Sequence, residues 1–196
     1  MINLILFGPP GSGKGTQAKK LAEKYDILHI STGDLFRKEI GEKSELGLLA
    51  MDYMNKGELV PNEVTIGMLK SALERHGSTF GVIYDGFPRT VDQARALDVL
   101  LEEEQDEIDL LISLKVDDDE IINRLLQRGI SDGRTDDQDE EIIRDRIEVY
   151  KKETQPVYAY YDAQDSAVTI NGMGSIDDIF QRITDIIDQV IEESTV

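Results

Sequence analysis

The sequence contains no cysteine, and its longest apolar runs are short. Without cysteine the chain can form neither a disulfide bond nor a zinc site with thiolate ligands. The runs from Ile2 to Phe7 and from Leu110 to Leu114, with Ser113 inside, fall far below the roughly 20 residues that cross a bilayer. Met1 is followed by no basic region, so we expect no secretory signal. These absences predict a cytoplasmic protein without a membrane partner.

Basic residues are also scarce. The chain has 21 Lys and Arg against 40 Asp and Glu, which gives a formal net charge of −19. Such a surface repels nucleic acid and anionic membranes, so neither is an expected partner. It also repels free nucleotides, and positions where arginines gather are therefore informative. The length of 196 residues predicts one domain with small inserted parts.

A glycine-rich loop follows the first apolar run. It reads Gly-Pro-Pro-Gly-Ser-Gly-Lys-Gly-Thr from Gly8 to Thr16 and leads into a helix-compatible segment. Glycines let consecutive backbone N–H groups turn toward phosphate oxygens, and the positive end of the following helix points to the same place. Lys14 adds a full positive charge and Thr16 a hydroxyl. The strand, loop and helix context predicts a polyphosphate site rather than an ordinary glycine-rich turn.

Apolar runs alternate with amphipathic helical segments along the whole chain, without an internal repeat. This alternation predicts an α/β fold, with a parallel sheet and helices on both of its faces. The predicted strands are Ile2–Phe7, Leu28–Ser31, Gly81–Tyr84, Leu110–Lys115 and Ala167–Ile170. Ligands bind such sheets at the carboxyl ends of the strands, so we expect functional residues directly after these segments.

The second predicted strand leads into His-Ile-Ser-Thr-Gly-Asp at residues 29–34, with Arg37 one turn further on. A serine, threonine or aspartate of this run could simply cap the next helix. Helix capping does not account for Arg37. Two roles remain open for this residue, that of an anion ligand and that of an ordinary surface arginine. Gly57 to Pro61 then separate two helical segments, with the glycine ending one and the proline opening the next.

The third predicted strand leads into Asp85-Gly86-Phe87-Pro88-Arg89-Thr90. A carboxylate at the end of a buried strand suits magnesium, bound through water because magnesium retains much of its hydration shell. The glycine and proline predict a tight turn that directs Arg89 back over the strand ends. The alternative is a simple strand-to-helix turn capped by Thr90.

Several arginines flank a glycine-bounded segment late in the chain. They are Arg124, Arg128, Arg134, Arg144 and Arg146. We predict a mobile, hairpin-like lid over residues 129–137, between two helices. Surface salt bridges with nearby acids are the alternative for each arginine, and we expect one for Arg144. Pro156 predicts a kink in the helix that follows.

Together, the ordered motifs resemble the adenylate kinases over nearly the whole chain. They are G-P-P-G-S-G-K-G-T, H-I-S-T-G-D with Arg37, G-E-L-V-P, D-G-F-P-R-T and the paired late arginines. The first motif ends in G-K-G-T, because Gly15 stands between Lys14 and Thr16. This ending resembles nucleoside monophosphate kinases rather than GTPases or motor proteins.

The resemblance implies a P-loop NTPase-type core with a five-stranded parallel sheet. Within a single kinase domain spanning 1–196, it implies a nucleoside-monophosphate-binding insert at 31–60 and a short lid at 129–137. The implied reaction is Mg·ATP + AMP ⇌ 2 ADP, which serves adenine nucleotide homeostasis. Mg²⁺ is the implied cofactor, and we expect a monomer. The accepting phosphate is already ionised, so no catalytic histidine or cysteine is expected.

The resemblance also implies roles for individual residues. The implied ATP ligands are Gly11, Ser12, Gly13, Lys14, Gly15, Thr16, Arg124, Arg128 and Gly174. The implied AMP ligands are Thr32, Arg37, Glu58, Leu59, Val60, Gly86, Phe87, Pro88, Arg89, Gln93, Arg134 and Arg146. The implied catalytic residues are Lys14, Arg89, Arg128, Arg134 and Arg146. The expected magnesium ligands are Asp85, through water, and Thr16.

The chain departs from the commonest bacterial form of the family in one respect. That form has a long lid, often with four cysteines that hold zinc, between the two arginine pairs. Here five residues separate Arg128 from Arg134, and cysteine is absent. The chain therefore resembles the short-lid type, and structural zinc is not expected.

Two other functions remain open on the sequence. A related kinase would act on UMP, CMP or a non-nucleotide acceptor, although Thr32 argues against UMP and CMP because those relatives typically have alanine there. The second open function is that of a GTPase-like switch or a non-catalytic nucleotide-binding module. Residues 55–58, Asn-Lys-Gly-Glu, superficially resemble a guanine-reading N-K-x-D motif. They end in glutamate and lie soon after the P-loop, and no D-x-x-G motif follows the third strand.

Overall fold

In the computed structural model, residues 2–76 and 81–193 are described, and strands alternate with helices along both ranges. The strands are β1 (Ile2–Phe7), β2 (Leu28–Ser31), β3 (Gly81–Asp85), β4 (Leu110–Lys115) and β5 (Ala167–Asn171). The helices are α1 (Lys14–Tyr25), α2 (Thr32–Gly41), α3 (Glu45–Asn55), α4 (Asn62–His76), α5 (Val91–Glu103), α6 (Asp118–Asp132), α7 (Glu140–Val149), α8 (Pro156–Asp162) and α9 (Ile176–Glu193). Each predicted strand is present and differs from the prediction by one residue at most.

The strands form one parallel sheet in the order β2-β3-β1-β4-β5. The first strand of the chain lies at the centre, where Ile5 pairs with Tyr84 on one side and Leu111 on the other. From β1 the chain goes to the edge strand β2, returns to place β3 beside β1, and then builds the other half outward through β4 and β5. The predicted α/β fold with a five-stranded parallel sheet is confirmed.

Alternating side chains of β1 enter two separate hydrophobic cores. Ile5 and Phe7 pack on one face of the sheet, in a cluster that also contains Leu97 of α5 and Tyr161 of α8. Leu4 and Leu6 pack on the other face, in a cluster with residues of α1 and α9. Burial of each such side chain contributes about 1.5–3 kcal/mol, so an uninterrupted apolar strand is stable only between two layers of helices.

Two smaller cores lie in the segments that follow strand ends. Phe36, Ala50, Val60 and Met68 form a cluster that joins α2, α3 and α4. A second cluster joins α6 to α7 and includes Leu125, Ile143 and Ile147. These cores give rigid support to the residues that stand above the sheet on either side of β1.

The loop predicted to begin at Gly129 begins later. Helix α6 continues to Asp132, and the predicted loop conformation of residues 129–132 was wrong. Gly129 is inside the helix because the chain packs closely against it: a Cβ at this position would lie 2.5 Å from the carbonyl oxygen of Asp137. Gly133, with a φ of 65°, ends the helix, and a 3₁₀ turn follows at Thr135–Asp137.

A π turn, Tyr150–Thr154, connects α7 to α8 directly before Pro156, the position at which a kink was predicted. The N–H of Gln155 donates to the carbonyl oxygen of Tyr150, five residues back, at 2.8 Å. Pro156 has no N–H to donate, and the widened turn sits directly before it. Across both described ranges, no helix is both long enough and apolar enough to span a bilayer.

Candidate active site

A cavity of about 560 Å³ opens above the carboxyl ends of the central strands. Most of the site residues predicted from the sequence line it: Gly11, Gly13, Lys14, Gly15, Thr16, Thr32, Arg37, Glu58, Leu59, Val60, Asp85, Gly86, Phe87, Pro88, Arg89, Gln93, Arg128, Arg134 and Arg146. Ser12, Arg124 and Gly174 are not among its lining residues. The cavity thus brings together motifs from five separate parts of the sequence.

The glycine-rich loop wraps the N-terminus of α1. Gly8, Gly11 and Gly13 have φ values of 139°, 78° and 96°, which side chains other than glycine adopt only with strain. A Cβ on Gly11 would also lie 2.8 Å from Cγ of Leu125, so the loop packs directly on α6. The N-terminal N–H groups of α1 and its positive dipole end therefore face the cavity.

Lys14 is the first residue of α1, and its side chain turns back over the loop. Its Nζ donates hydrogen bonds to the carbonyl oxygens of Gly8, at 2.7 Å, and Pro9, at 2.8 Å. Removal from water lowers the pKa of Lys14 from its usual value to about 7, and the nearby charges of Arg89, Arg128 and Arg146 contribute to the lowering while Asp85 opposes them. An added anion would favour the protonated lysine.

On the β2 side of the cavity, the start of α2 is capped as the sequence allowed. The hydroxyl of Ser31 accepts from the N–H of Asp34 at 3.3 Å. Thr32 is buried and donates from Oγ1 to the carbonyl oxygen of Gly86 at 2.8 Å, which joins β2 to the turn after β3. Arg37 reaches the cavity wall and pairs with Asp34 at 2.5 Å. The structure thus shows both the helix cap at Ser31 and the position of Arg37 in the cavity wall.

The turn after β3 directs Arg89 into the cavity. The bond between Phe87 and Pro88 is cis, and Nε of Arg89 donates to the carbonyl oxygen of Gly86 at 2.8 Å. Burial, and then the charge of Arg146, lower the pKa of Arg89 to about 10. Gln93 is also buried, and its Oε1 accepts from the backbone N–H of Arg89 at 2.7 Å.

Asp85 stands at the end of β3, facing the P-loop. A Cβ on Gly15 would lie 3.4 Å from its Oδ2, which places the carboxylate beside the start of α1. Nε2 of His29 lies 3.4 Å from the same oxygen, a contact that no sequence pattern indicated. The described residues contain no group of three or more His, Asp or Glu side chains that could hold a metal alone. Asp85 and Thr16 offer oxygen atoms, so a hard cation here needs phosphate oxygens as further ligands.

The late arginines meet on the opposite side of the cavity. Arg128 of α6 and Arg146 of α7 both bind the side chain of Asp137, each at 2.6 Å. Arg146 also contacts Asp136 at 2.9 Å. Arg134 lines the same wall, and burial, followed by the charges of Arg37 and Arg128, lowers its pKa. The convergence of mutually repelling cations is the electrostatic signature of an anion site.

Arg124 and the loop after β5 form a separate group. Arg124 binds Glu120 at 2.7 Å, and its Nη1 is 3.5 Å from the carbonyl oxygen of Gly172. This geometry brings Arg124 to the loop that contains Gly174. Arg144 pairs with Glu140 at 2.7 Å on the exposed face of α7, which confirms the surface salt bridge expected for it.

Sequence reasoning missed the acidic partners of the arginines. Asp136 and Asp137 are buried, whereas the sequence suggested only surface salt bridges between these arginines and nearby acids. The only signal was their position immediately after Arg134, within a chain that has 40 acidic residues in all. Which of so many carboxylates is buried depends on the packing of α6 against the 3₁₀ turn, and this packing is not evident from local sequence.

Comparison with known proteins gives a consistent result. A family model described as adenylate kinase matches residues 6–166. An adenylate kinase of Flavobacterium psychrophilum is 47% identical over 190 residues, covering 97% of this chain and 100% of the relative. An adenylate kinase of Parabacteroides distasonis is 44% identical with the same coverage. One of Methanosarcina barkeri is 44% identical over 207 residues, covering 93% of this chain and 96% of the relative.

Proposed function

This chain belongs to the adenylate kinase family, and on that premise we propose that its cavity holds ATP and AMP with their phosphates end to end. The chain is a nucleoside monophosphate kinase that transfers a phosphoryl group between ATP and AMP. The family match disfavours the alternatives of a UMP/CMP kinase and of a GTPase-like switch.

One observation carries the proposal, namely that cations from six segments converge on one cavity of a protein with a net charge of −19. They are Lys14, Arg37, Arg89, Arg128, Arg134 and Arg146. Two unit charges 4 Å apart interact by about 4 kcal/mol at an effective dielectric near 20. Phosphates of two nucleotides could not approach each other without such compensation. The cations are therefore spaced to offset repulsion between two polyanions.

The P-loop side would hold ATP. Backbone N–H groups of Gly11 to Thr16 would surround the phosphates, and Lys14 would leave its carbonyl partners to bind a phosphate oxygen. Ser12 would support the loop from beneath rather than from the cavity wall. Arg124 contacts the carbonyl oxygen of Gly172 in the loop after β5, which also contains Gly174, and this position suits contact with the ATP base outside the main cavity.

The β2 and β3 side would hold AMP. Arg37 and Arg89 would bind its phosphate, and arginine suits this because its planar fork engages two oxygens at once. The segment Glu58 to Val60, the turn from Gly86 to Pro88 and the amide of Gln93 would enclose the nucleoside. Gln93 Nε2 donates to Asn62 at 2.9 Å, so the amide orientation is already fixed before a base is bound.

Transfer then requires little covalent chemistry from the protein. The AMP phosphate is ionised and attacks the terminal phosphoryl group of ATP directly, so no general base is needed. Lys14, Arg89 and Arg128, with Arg134 and Arg146, would follow negative charge onto the equatorial oxygens as the bond to ADP breaks. Closure of the arginine-bearing segments would exclude water, the competing acceptor.

The floor of the cavity offers oxygen ligands for magnesium. Asp85, through water, and the hydroxyl of Thr16 fit a cation that prefers oxygen ligands and retains water molecules. A magnesium ion held there would supply positive charge that offsets the negative charge of the ATP phosphates. We further propose that residues 31–60 act as the AMP-binding insert, that residues 129–137 act as the lid, and that the enzyme is a cytoplasmic monomer.

A coupled assay of ADP formation tests the function. Purified protein with ATP, AMP and magnesium should produce ADP rapidly, and omission of AMP should reduce the rate to background. A panel with UMP, CMP or GMP as acceptor, and GTP as donor, measures selectivity. Slow GTP hydrolysis that does not depend on an acceptor, without ADP from ATP and AMP, would support the GTPase-like alternative instead.

A further inference from the structure

The side-chain amide of Gln93 is held at both ends by the protein. Its Oε1 accepts from the backbone N–H of Arg89 at 2.7 Å, and its Nε2 donates to Oδ1 of Asn62 at 2.9 Å. Gln93 is almost completely buried, yet it lines the cavity on the side proposed for AMP. Asn62, the first residue of α4, is half-buried and is not among the lining residues. Any effect of Asn62 on the cavity would therefore pass through Gln93.

We propose that Asn62 is a positioning residue that makes the acceptor site selective for adenine over 6-oxopurines, by fixing which way the Gln93 amide faces. The inference rests on the proposed function, in which this side of the cavity holds AMP. Asn62 lies directly after the G-E-L-V-P motif and outside it, so the motifs of the sequence give it no role.

The orientation of the amide follows from the chemistry of its two partners. A backbone N–H can only donate, so the end of the Gln93 amide that faces Arg89 must be the oxygen. The nitrogen then faces Asn62, which must present its own oxygen. The hydroxyl of Thr90 supports this arrangement, because it accepts from the N–H of Gln93 at 3.2 Å and donates to Oδ1 of Asn62 at 3.3 Å. These hydrogen bonds agree on one orientation for both amides.

An amide in a fixed orientation distinguishes one purine from another. An amide has two N–H donors and two oxygen lone pairs, so Gln93 keeps one of each for a base after it has bound Arg89 and Asn62. Adenine complements this pair with its N6 amino donor beside a ring-nitrogen acceptor. Hypoxanthine and guanine have an oxygen acceptor in place of the amino group, and their N1 carries a proton. In the same pose, a 6-oxopurine pairs only if the amide turns over.

Asn62 determines how unfavourable that turn is. A reversed amide would place the Gln93 oxygen against the Asn62 oxygen and the Gln93 nitrogen against the N–H of Arg89, so both hydrogen bonds would be lost in a buried site. With an apolar side chain at position 62, the observed orientation itself leaves a buried N–H without an acceptor. The two orientations then become closer in free energy. The site should consequently bind AMP less well and 6-oxopurine nucleotides better.

The test compares AMP with IMP as the acceptor, each with ATP and magnesium. IMP has the 6-oxo group but no 2-amino group that could clash, so it isolates the base edge. In the IMP reaction the terminal phosphoryl group leaves ADP and bonds to the phosphate of IMP, and chromatography measures the ADP and IDP formed. In Asn62→Leu, the ratio of kcat/KM for AMP to that for IMP should fall on the order of 10-fold, the scale of one buried hydrogen bond. The KM for ATP and kcat at saturating AMP should stay at wild-type values, because the phosphates are bound elsewhere.

Two matched variants show whether the acceptor atom is the cause. Asn62→Asp keeps an oxygen that accepts from Gln93 and Thr90, and it should retain the wild-type ratio. Glu63→Gln changes the exposed neighbouring position of α4 and should also retain it. If Asn62→Asp loses selectivity as Asn62→Leu does, or if Asn62→Leu lowers kcat/KM for both acceptors by the same factor, Asn62 has only a structural role and the proposal is overturned. Should Asn62→Leu fail to fold, Asn62→Val removes the acceptor with a smaller side chain, and an unchanged ratio in that variant overturns the proposal equally.

Failure of the inference is distinguishable from failure of the proposed function. If the unmodified enzyme forms no ADP from ATP and AMP, the function proposed for the cavity is wrong, and the role of Asn62 that rests on it is overturned with it. If the unmodified enzyme uses IMP as efficiently as AMP, or if it prefers AMP and Asn62→Leu prefers it equally, the kinase function stands and only the role of Asn62 is lost.

Discussion

The ammonium group of Lys14 donates a hydrogen bond to the carbonyl oxygen of Gly8, and the 2.7 Å contact closes the P-loop around its own lysine. Burial in that position lowers the lysine pKa to about 7. An anion bound in the cavity would therefore increase the protonated fraction of Lys14 at neutral pH.

Replacement of Lys14 by methionine should lower kcat for phosphoryl transfer at least 100-fold, on the order of a lost preorganised charge contact, and leave the fold intact. Loss of a single preorganised charge contact costs about 10²–10³ in kcat. Loss of the hydrogen bonds lowers the free energy of unfolding, whereas removal of a buried charge raises it. The melting temperature should therefore change by no more than about 5 °C. Lys24→Met, on the exposed side of the same helix, is the control. Retained activity in Lys14→Met would remove the lysine from the mechanism.

Replacement of Arg89 by alanine should impair AMP more than ATP. Hydrogen bonds to a charged group contribute about 1.5–3 kcal/mol, so kcat/KM for AMP should fall about 10- to 150-fold. Burial already disfavours the charge of Arg89, and its loss should not lower the melting temperature. Arg95→Ala, which removes an exposed cation of α5, should change neither quantity. Unchanged steady-state constants for AMP in Arg89→Ala would contradict its place in the site.

Replacement of Gly129 by alanine should slow transfer without altering any charge. The new Cβ would lie 2.5 Å from the carbonyl oxygen of Asp137, so the turn that holds Asp137 must move away from α6. We expect a fall in kcat on the order of 100-fold, from a displacement near 1 Å. Gly67→Ala is the matched control: it lies within α4 with nothing within 4 Å of a Cβ, and should stabilise the protein slightly at full activity. A kcat of Gly129→Ala equal to that of the wild type would show that the turn can move without any effect on phosphoryl transfer.

The Asp137 ion pairs should make part of the stability depend on pH. The folded-state pKa of this carboxyl is held below the usual 3.8, so unfolding takes up a proton in the interval between the two pKa values. Its contribution is present above the ordinary pKa and is lost as pH falls through the folded-state value. Thermal unfolding measured from pH 7 downward should therefore show a difference in melting temperature between wild type and Asp137→Asn that narrows as the pH falls through that interval. A gap that is constant with pH would mean that the charge of Asp137 does not stabilise the fold.

The fold was predictable because each strand carries its own signal. The run from Ile2 to Phe7 is apolar at every position but Asn3, which only a strand covered on both faces tolerates, and Gly8 marks its end. The cavity was predictable for a related reason, since parallel strands bring their carboxyl ends together wherever they lie in the chain. Arg37 and Arg89 could thus be placed at one edge from sequence alone.

The features that escaped prediction depend on contacts between distant segments. Gly129 was interpreted as the start of a loop, because a glycine that permits close packing cannot be told from a glycine that ends a helix in the sequence alone. The contact between His29 and Asp85 spans 56 positions and crosses from β2 to β3. The burial of Asp137 results from the packing of α6 against the turn after it, and no local pattern distinguishes it from the solvated carboxylates around it.

The π turn at Tyr150–Thr154 has one further consequence. It adds a residue to what would otherwise be a single rod from Glu140 to Asp162, and each residue of an α-helix corresponds to about 100° of rotation. The added residue sets the rotation of α7, which carries Arg146, relative to α8, which is anchored in the sheet core through Tyr161. Deletion of one residue between Lys151 and Thr154 would reset that rotation and turn Arg146 away from the cavity without substituting any side chain that lines it.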